Sequence, residues 1–194
     1  MKTHWGWWAQ GTVIVALALG FGACKSPEGE TPEEKRADIR QISREVLTEL
    51  YQSDPDLRNV VERSPGYAVF SNRSTKILLL GSDLGYGVAV DNRTGEETFM
   101  RMVGVGAGLG AGVSTFRVVF VFHEEDIMRR FIDSGWDFGG QAAAAAQVEE
   151  EGAAAGDNIT VEEGMSIYRI SDDGVALTAT VGGTKYYKDD DLNR

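Results

Sequence analysis

Few residues in this 194-residue chain can do covalent or acid–base chemistry. Beyond the first two dozen residues His123 is the only histidine, and Cys24 is the only cysteine in the chain. A histidine-centred triad or a zinc site needs partners that the sequence does not supply. A hydrolase reading requires a deep pocket holding His123 or Asp137 beside a nucleophile such as Ser114. Asp137, between Trp136 and Phe138, is the carboxylate whose setting is most apolar, and a hydrogen-bonded structural role suits it better than catalysis. Asp189, Asp191 and Asn193 alternate as at the start of a calcium loop, without the glycine and late glutamate such a loop uses. They read as a solvated acidic tail. Gly106-Ala-Gly108-Leu-Gly110-Ala111 fits a relaxed G-x-G-x-x-A pattern, but a strand follows where a nucleotide fingerprint needs a helix. No catalytic residue, metal site or cofactor is therefore expected.

Cys24 has a different chemistry. Lys2, an apolar run from about Thr12 to Phe21, and Gly22-Ala23 precede it, in the order of a signal peptide. The run is shorter than the ~20 residues that span a bilayer. Small residues before a cysteine resemble the bacterial lipoprotein signal, in which the cysteine becomes the acylated first residue; Phe21 stands where leucine is usual. Residues 1–23 are thus expected as signal peptide and 24–33 as acylated cysteine plus flexible tether. Acyl chains, palmitate among them, anchor a protein at about 0.8 kcal/mol per buried CH₂. Lys25 follows, with no aspartate to retain the protein at an inner membrane, so the expected location is the outer membrane facing the periplasm.

The formal charge is −11, and loss of residues 1–23 with their single charged residue, Lys2, leaves −12. Nucleic-acid binding draws its affinity from a basic surface, which this chain lacks. Hydrophobic content of 42% and charged content of 25% are those of an ordinary globular domain.

The elements that position these residues are organised around Val103–Phe122. Gly104, Gly106, Gly108, Gly110 and Gly112 alternate with Val103, Val105, Ala107, Leu109, Ala111 and Val113. A period of two is that of a strand, with one apolar face and one of bare backbone. Interior glycine costs about 0.5–1 kcal/mol against alanine, and its usual use is close approach by a backbone or ligand. Ser114-Thr115 reads as a turn and Phe116–Phe122 as a neighbouring core strand.

Before this stretch, Thr31, Pro32 and Glu34 mark a helix start. Ile39, Ile42, Val46, Leu47 and Leu50 form its apolar stripe, suited to docking on a sheet. Asp54-Pro55-Asp56 opens a second short helix. Strands are expected at Tyr67–Phe70, Lys76–Leu80 and Gly85–Val90, with turns at Asn72–Ser74 and Gly81–Asp83 and a hairpin turn at Asn92–Gly95. After Phe122 an acidic start leads a helix with Ile127, Met128, Phe131 and Ile132 on one side. Trp136–Gly139 begins a strand running into Ala142–Ala146. Ile159–Val161, Ser166–Ile170 and Val175–Val181 read as further strands, the last two joined at Asp172–Gly174. The expected class is α+β, a compact, mostly antiparallel sheet or barrel-like core with docked N-terminal helices and one inserted helix, residues 34–194 forming one domain.

This series resembles the SYLF-domain family, a lipid-binding module of bacterial lipoproteins and of eukaryotic proteins. The resemblance runs from Leu57 to Asn193. It rests on Gly66-Tyr-Ala-Val-Phe70, Gly85-Tyr-Gly87-Val-Ala-Val90, the glycine-alternating Gly104–Val113 with Phe116–Phe122, Trp136-Asp-Phe-Gly139, Ser166-Ile-Tyr168, Gly174-Val-Ala-Leu177 and Asp191-Leu-Asn193. Ser71 stands where the family often has proline. The resemblance implies a non-enzymatic envelope protein that meets phospholipid through its anchor and its domain. Eukaryotic members bind phosphoinositides through a basic N-terminal segment; here Lys35, Arg36, Arg40 and Arg44 share that segment with five carboxylates. The glycine face and Trp136, a core anchor or an interfacial contact, complete the candidate surface for lipid or partner. A protein–protein module of the envelope is the alternative, and actin is not an expected partner.

Overall fold

The computed structural model describes residues 27–138, 164–171, 174–177 and 183–194 and, within the strands, the side chains outside 77–80, 106–111, 171 and 174–177. The fold is α+β. Helix α1 (Pro32–Ser53) starts where the sequence marks it. Glu34 N–H donates to Thr31 Oγ1 (3.2 Å), and Thr31 N–H donates back to the Glu34 carboxylate (3.0 Å). Helix α2 (Leu57–Arg63) follows, then two strands of 26 residues each, β1 (Gly66–Asp91) and β2 (Glu97–Phe122). Helix α3 (Glu125–Asp133) precedes β3 (Trp136–Asp137), β4 (Met165–Ser171), β5 (Gly174–Leu177) and β6 (Thr184–Lys188).

Strand β2 is the spine of one antiparallel sheet. One edge pairs with β1 from Glu97 to Phe122; the other takes β6 at Met100–Gly104 and β4 at Arg117–Phe122. β3 extends the sheet beyond β6, and β5 beyond β4.

The long hairpin cannot be straight. Met100 and Phe122 belong to one buried cluster with Phe70, Phe120, Phe131 and Tyr186, yet 22 residues of extended chain span about 70 Å. The strand pair curls so that its ends meet. Met100 and Met102 near the start of β2 and Phe116, Val118, Phe120 and Phe122 at its end line the inner face; Phe99, Val119 and Val121 point outward onto α1. Ile39 packs near Phe99 while Val46 and Leu50 pack near Val119 and Val121, so a few turns of α1 bridge the two ends of the curl. Between Leu78 and Leu80 the register shifts, with two residues of β2 opposite one of β1, and the parity of β1 that faces inward changes. Ala68 and Phe70 are inside before it and Ala89 after it, as one extra residue in a two-residue period requires.

Closure of the curl uses glycine. A methyl added at Gly87 would overlap the Val69 carbonyl oxygen, and one at Gly66 the Val90 carbonyl oxygen. At Gly85 it would strike the Asn72 side chain and approach the Ser71 carbonyl. The first and last parts of β1 therefore run against each other backbone to backbone.

Several expectations are corrected. Asn72–Ser74, Gly81–Asp83 and Ser114-Thr115 are not turns; all lie inside continuous strands, where Ser74 pairs with Ser114. Turn propensity yields to a cross-strand ladder that is interrupted only at the Leu78/Leu80 shift. Accordingly, Val103–Val113 and Phe116–Phe122 are one strand rather than two neighbours. The two-residue connection between Ser171 and Gly174 joins an antiparallel hairpin as expected. The strands expected at Ala142–Ala146 and Ile159–Val161 lie outside the described residues.

The glycine contacts give a direct test. Gly87→Ala should lower unfolding free energy by about 1–3 kcal/mol, because a carbonyl oxygen cannot move aside as a side chain can. Gly112, with nothing within 4 Å of an added Cβ, should accept alanine with a gain of about 0.5–1 kcal/mol. Urea denaturation of both variants checks the pair.

Candidate functional site

The alternation of β2 decides what its middle presents. Gly104 is buried on the inner face, where an added Cβ would come 2.9 Å from Thr184 Cγ2. The intervening valines face outward: Val103 is 36% exposed, Val105 75% and Val113 54%. Leu84, the cross-strand partner of Val103, is 44% exposed. Leu84, Val103 and Val105 thus form an uncovered apolar strip on the convex side. Single exposed apolar residues are common on surfaces, but a contiguous group is a mark of contact with a partner or lipid. Lys185 lies opposite Val103 on β6, and Tyr187 opposite Arg101.

Next to the strip is a cavity of about 320 Å³ between the start of α1, β1, β2 and the C-terminal tail. Pro27, Lys35, Leu84, Tyr86, Val103 and Leu192 are among its lining residues. The tail that closes it is firmly held. Asp189, 5% exposed, accepts from Arg101 Nε at 2.6 Å, and this bond first of all raises the pKa of the guanidinium. The Asn193 side chain exchanges two hydrogen bonds with the backbone of Phe99 (2.9 and 2.7 Å), and Leu192 is buried against Ile39. Asp189 and Leu192 are therefore built into the fold, correcting the solvated-tail reading. The alternation at 189, 191 and 193 serves this clasp.

The basic segment of α1 divides. Lys35 lines the cavity. Arg36 donates to Glu33 (2.7 Å) and to the carbonyls of Leu192 and Arg194. Arg40 bonds Glu97 at 2.7 Å and lies over the Phe99 ring. Arg44 is exposed. Trp136 is half-buried, 6.3 Å from Phe131 and 6.2 Å from Phe138 between ring centroids, at the margin of the inner core. Of the glycines, Gly104 meets β6 and Gly112 is open to solvent; Gly106, Gly108 and Gly110 continue the same strand. Cys24 lies outside the described residues.

The residues considered for catalysis are not brought together. His123 Nε2 lies 2.7 Å from Ser166 Oγ on an exposed surface. Ser114 is nine residues back along β2, exposed and paired with Ser74 of β1. Asp137 pairs in the sheet with Lys185. Among the described residues no group of three His, Cys, Asp or Glu side chains could hold a metal, and no helix is long and apolar enough to cross a membrane.

Residues 103–194 match the model of the Ysc84 family, described as Las17-binding protein actin regulator, the SYLF family that the sequence resembles. The matched part begins in the strip and ends with the clasp. Over 163 residues the chain is 32% identical to the Beta cell expansion factor A of Aeromonas veronii. That match covers 84% of this chain and 60% of the relative, so the chain spans less than two thirds of the relative's length. These likenesses support a lipid-binding or protein-interaction domain.

The strip was legible but missed. Met100, Met102, Phe116, Phe120 and Phe122 share the parity of the glycines, so the inner face runs through the glycine stretch and the valines must face out.

The cavity wall has a pH signature. Burial, with the nearby Asp38 charge second, pushes the Tyr86 phenol up to about 12. The unfolded phenol titrates near 10. Its contribution to stability is therefore complete below about pH 10 and disappears as pH rises through the folded value near 12. Ultraviolet titration of the native protein should show a phenol ionising well above pH 10 that is missing in Tyr86→Phe.

Proposed function

We propose that the protein is a non-enzymatic lipoprotein of the cell envelope, anchored through acylated Cys24, whose domain lays the Leu84–Val103–Val105 strip on a phospholipid surface. The observation that carries this reading is the position of the strip beside the start of the described chain. Pro27 and Val103 line one cavity, and Cys24 is only three residues before Pro27. An anchor at Cys24 would bring this face, more than any other, to the bilayer. The outer membrane, seen from the periplasm, is the location that the signal sequence favours.

Charge does not drive this contact. The mature chain carries −12 and its arginines are largely engaged within the fold, so anionic head groups gain little from it. Apolar burial does: a valine or leucine transferred from water contributes about 1.5–3 kcal/mol. The name of the family links it to actin regulation, and an extracytoplasmic domain gives actin no role here. A protein partner remains the rival occupant of the strip.

Vesicle co-sedimentation of the unacylated chain from Lys25 tests the lipid reading. Binding should occur on zwitterionic and mixed phospholipid and persist at moderate salt. The double variant V103D/V105D should partition at least tenfold less, since 1.4 kcal/mol is a factor of ten. No binding to any phospholipid mixture, with stoichiometric crosslinking of one envelope protein in cells, would assign the strip to a protein instead.

A further inference from the structure

The cavity beside the strip lies where the described chain begins. We infer that it receives part of an acyl chain carried by Cys24 of the same molecule, an inference that rests on the acylation proposed above. The argument begins with how the chain reaches the cavity. The segment after Pro27 is fastened to α1: Glu28 N–H donates to Asp38 Oδ2 at 2.9 Å, and Glu30 N–H donates to Glu34 Oε2 at 2.8 Å. Gly29, at φ +125°, has no room for a Cβ against Glu34. The backbone there is held, and Pro27 is part of the cavity wall. Three residues of fully extended chain reach about 11 Å. Whatever is bound to Cys24 therefore starts within that distance of Pro27.

The cavity suits a hydrocarbon with a polar end. Its buried members include Tyr86, Met102 and Leu192, and its exposed members Leu84 and Val103 continue into the strip. Lys35 and Arg101 also line it, and the ester or amide linkages of an acylated cysteine would meet them. A cavity of 150 Å³ holds a six-carbon ring, so 320 Å³ holds roughly a dozen carbons, part of one chain and not the several of a lipoprotein anchor. One acyl chain would lie in the cavity while the others enter the bilayer. Away from a membrane the same cavity and strip would cover hydrocarbon that water otherwise meets, at a gain proportional to the area covered.

The test uses the full acylated protein, purified in detergent, freed of detergent, and isolated as a monomer. A photoreactive phenylalanine analogue replaces Leu84 in one variant and Val103 in a second, so that misfolding of one does not decide the matter. After illumination, mass spectrometry of the digested chain should find the probe peptide joined to the acyl group on the Cys24 peptide. The same probes in a Cys24→Ser protein should give no such product. Acylated Cys24 with no crosslink at either probe, or with crosslinks only to co-purified phospholipid, overturns this inference and leaves the anchor intact. A crosslink found only between two chains overturns it as well. An unmodified Cys24 in the mature protein overturns both this inference and the anchor.

Discussion

The fold depends on one backbone contact. Strand β1 returns upon itself, and the return works because Gly66, Gly85 and Gly87 present no side chain where carbonyl oxygens approach. Everything else is arranged around that closure. It brings the two ends of a 26-residue strand under one helix and seals an aromatic group in which Phe70, Phe120, Phe131 and Tyr186 lie 4.7–6.2 Å apart between ring centroids. Such pairs add about 0.5–1.5 kcal/mol each beyond the area they bury. Tyr186 is fully buried at the centre, and its phenol is held neutral by that burial. Because the curl consumes the inner face, Val103, Val105 and Val113 of β2 are left outside.

Charge has mostly structural work. Arg36 ties α1 to the C-terminal carbonyls, Arg40 ties it to β2, and Arg101 holds the buried Asp189. Arg129 and Arg130 pair along α3 with Glu125 and Asp126. On the function proposed above, a chain with this charge balance would meet a surface by hydrocarbon rather than by phosphate. The exposed valines and the neighbouring cavity would supply that preference beside Pro27, where the described chain begins.

What could be read from the residues follows from the range of the physics involved. The α1 cap, its apolar stripe, the acidic start of α3 and the Asn92–Gly95 hairpin are local, and each stands as read; Gly95 takes φ +73°. Asn72–Ser74 and Ser114-Thr115 misled because their turn propensity is overruled by a partner many residues away. The bulge at Leu78/Leu80 leaves no mark in the local pattern, since its effect is a change of inner parity between Phe70 and Ala89. The close approach expected of the β2 glycines is seen at Gly104 but not at Gly112, and it also falls at Gly66, Gly85 and Gly87 of β1, which the sequence reading did not single out for it. The signal-like order before Cys24 is local and readable, whereas the course of Pro27 and Glu28 along α1 depends on the fold.

The most direct measurement of the central claim is depth. Full-length protein acylated at Cys24, reconstituted on phospholipid vesicles, would carry a spin label at Val105 or, as a control, at Arg129. Arg129 lies on α3, which packs against the inner face of the sheet. Power saturation with oxygen and with a water-soluble relaxation agent should place the Val105 label at the hydrocarbon boundary and the Arg129 label in water. Equal exposure of both labels to the aqueous agent would contradict the account.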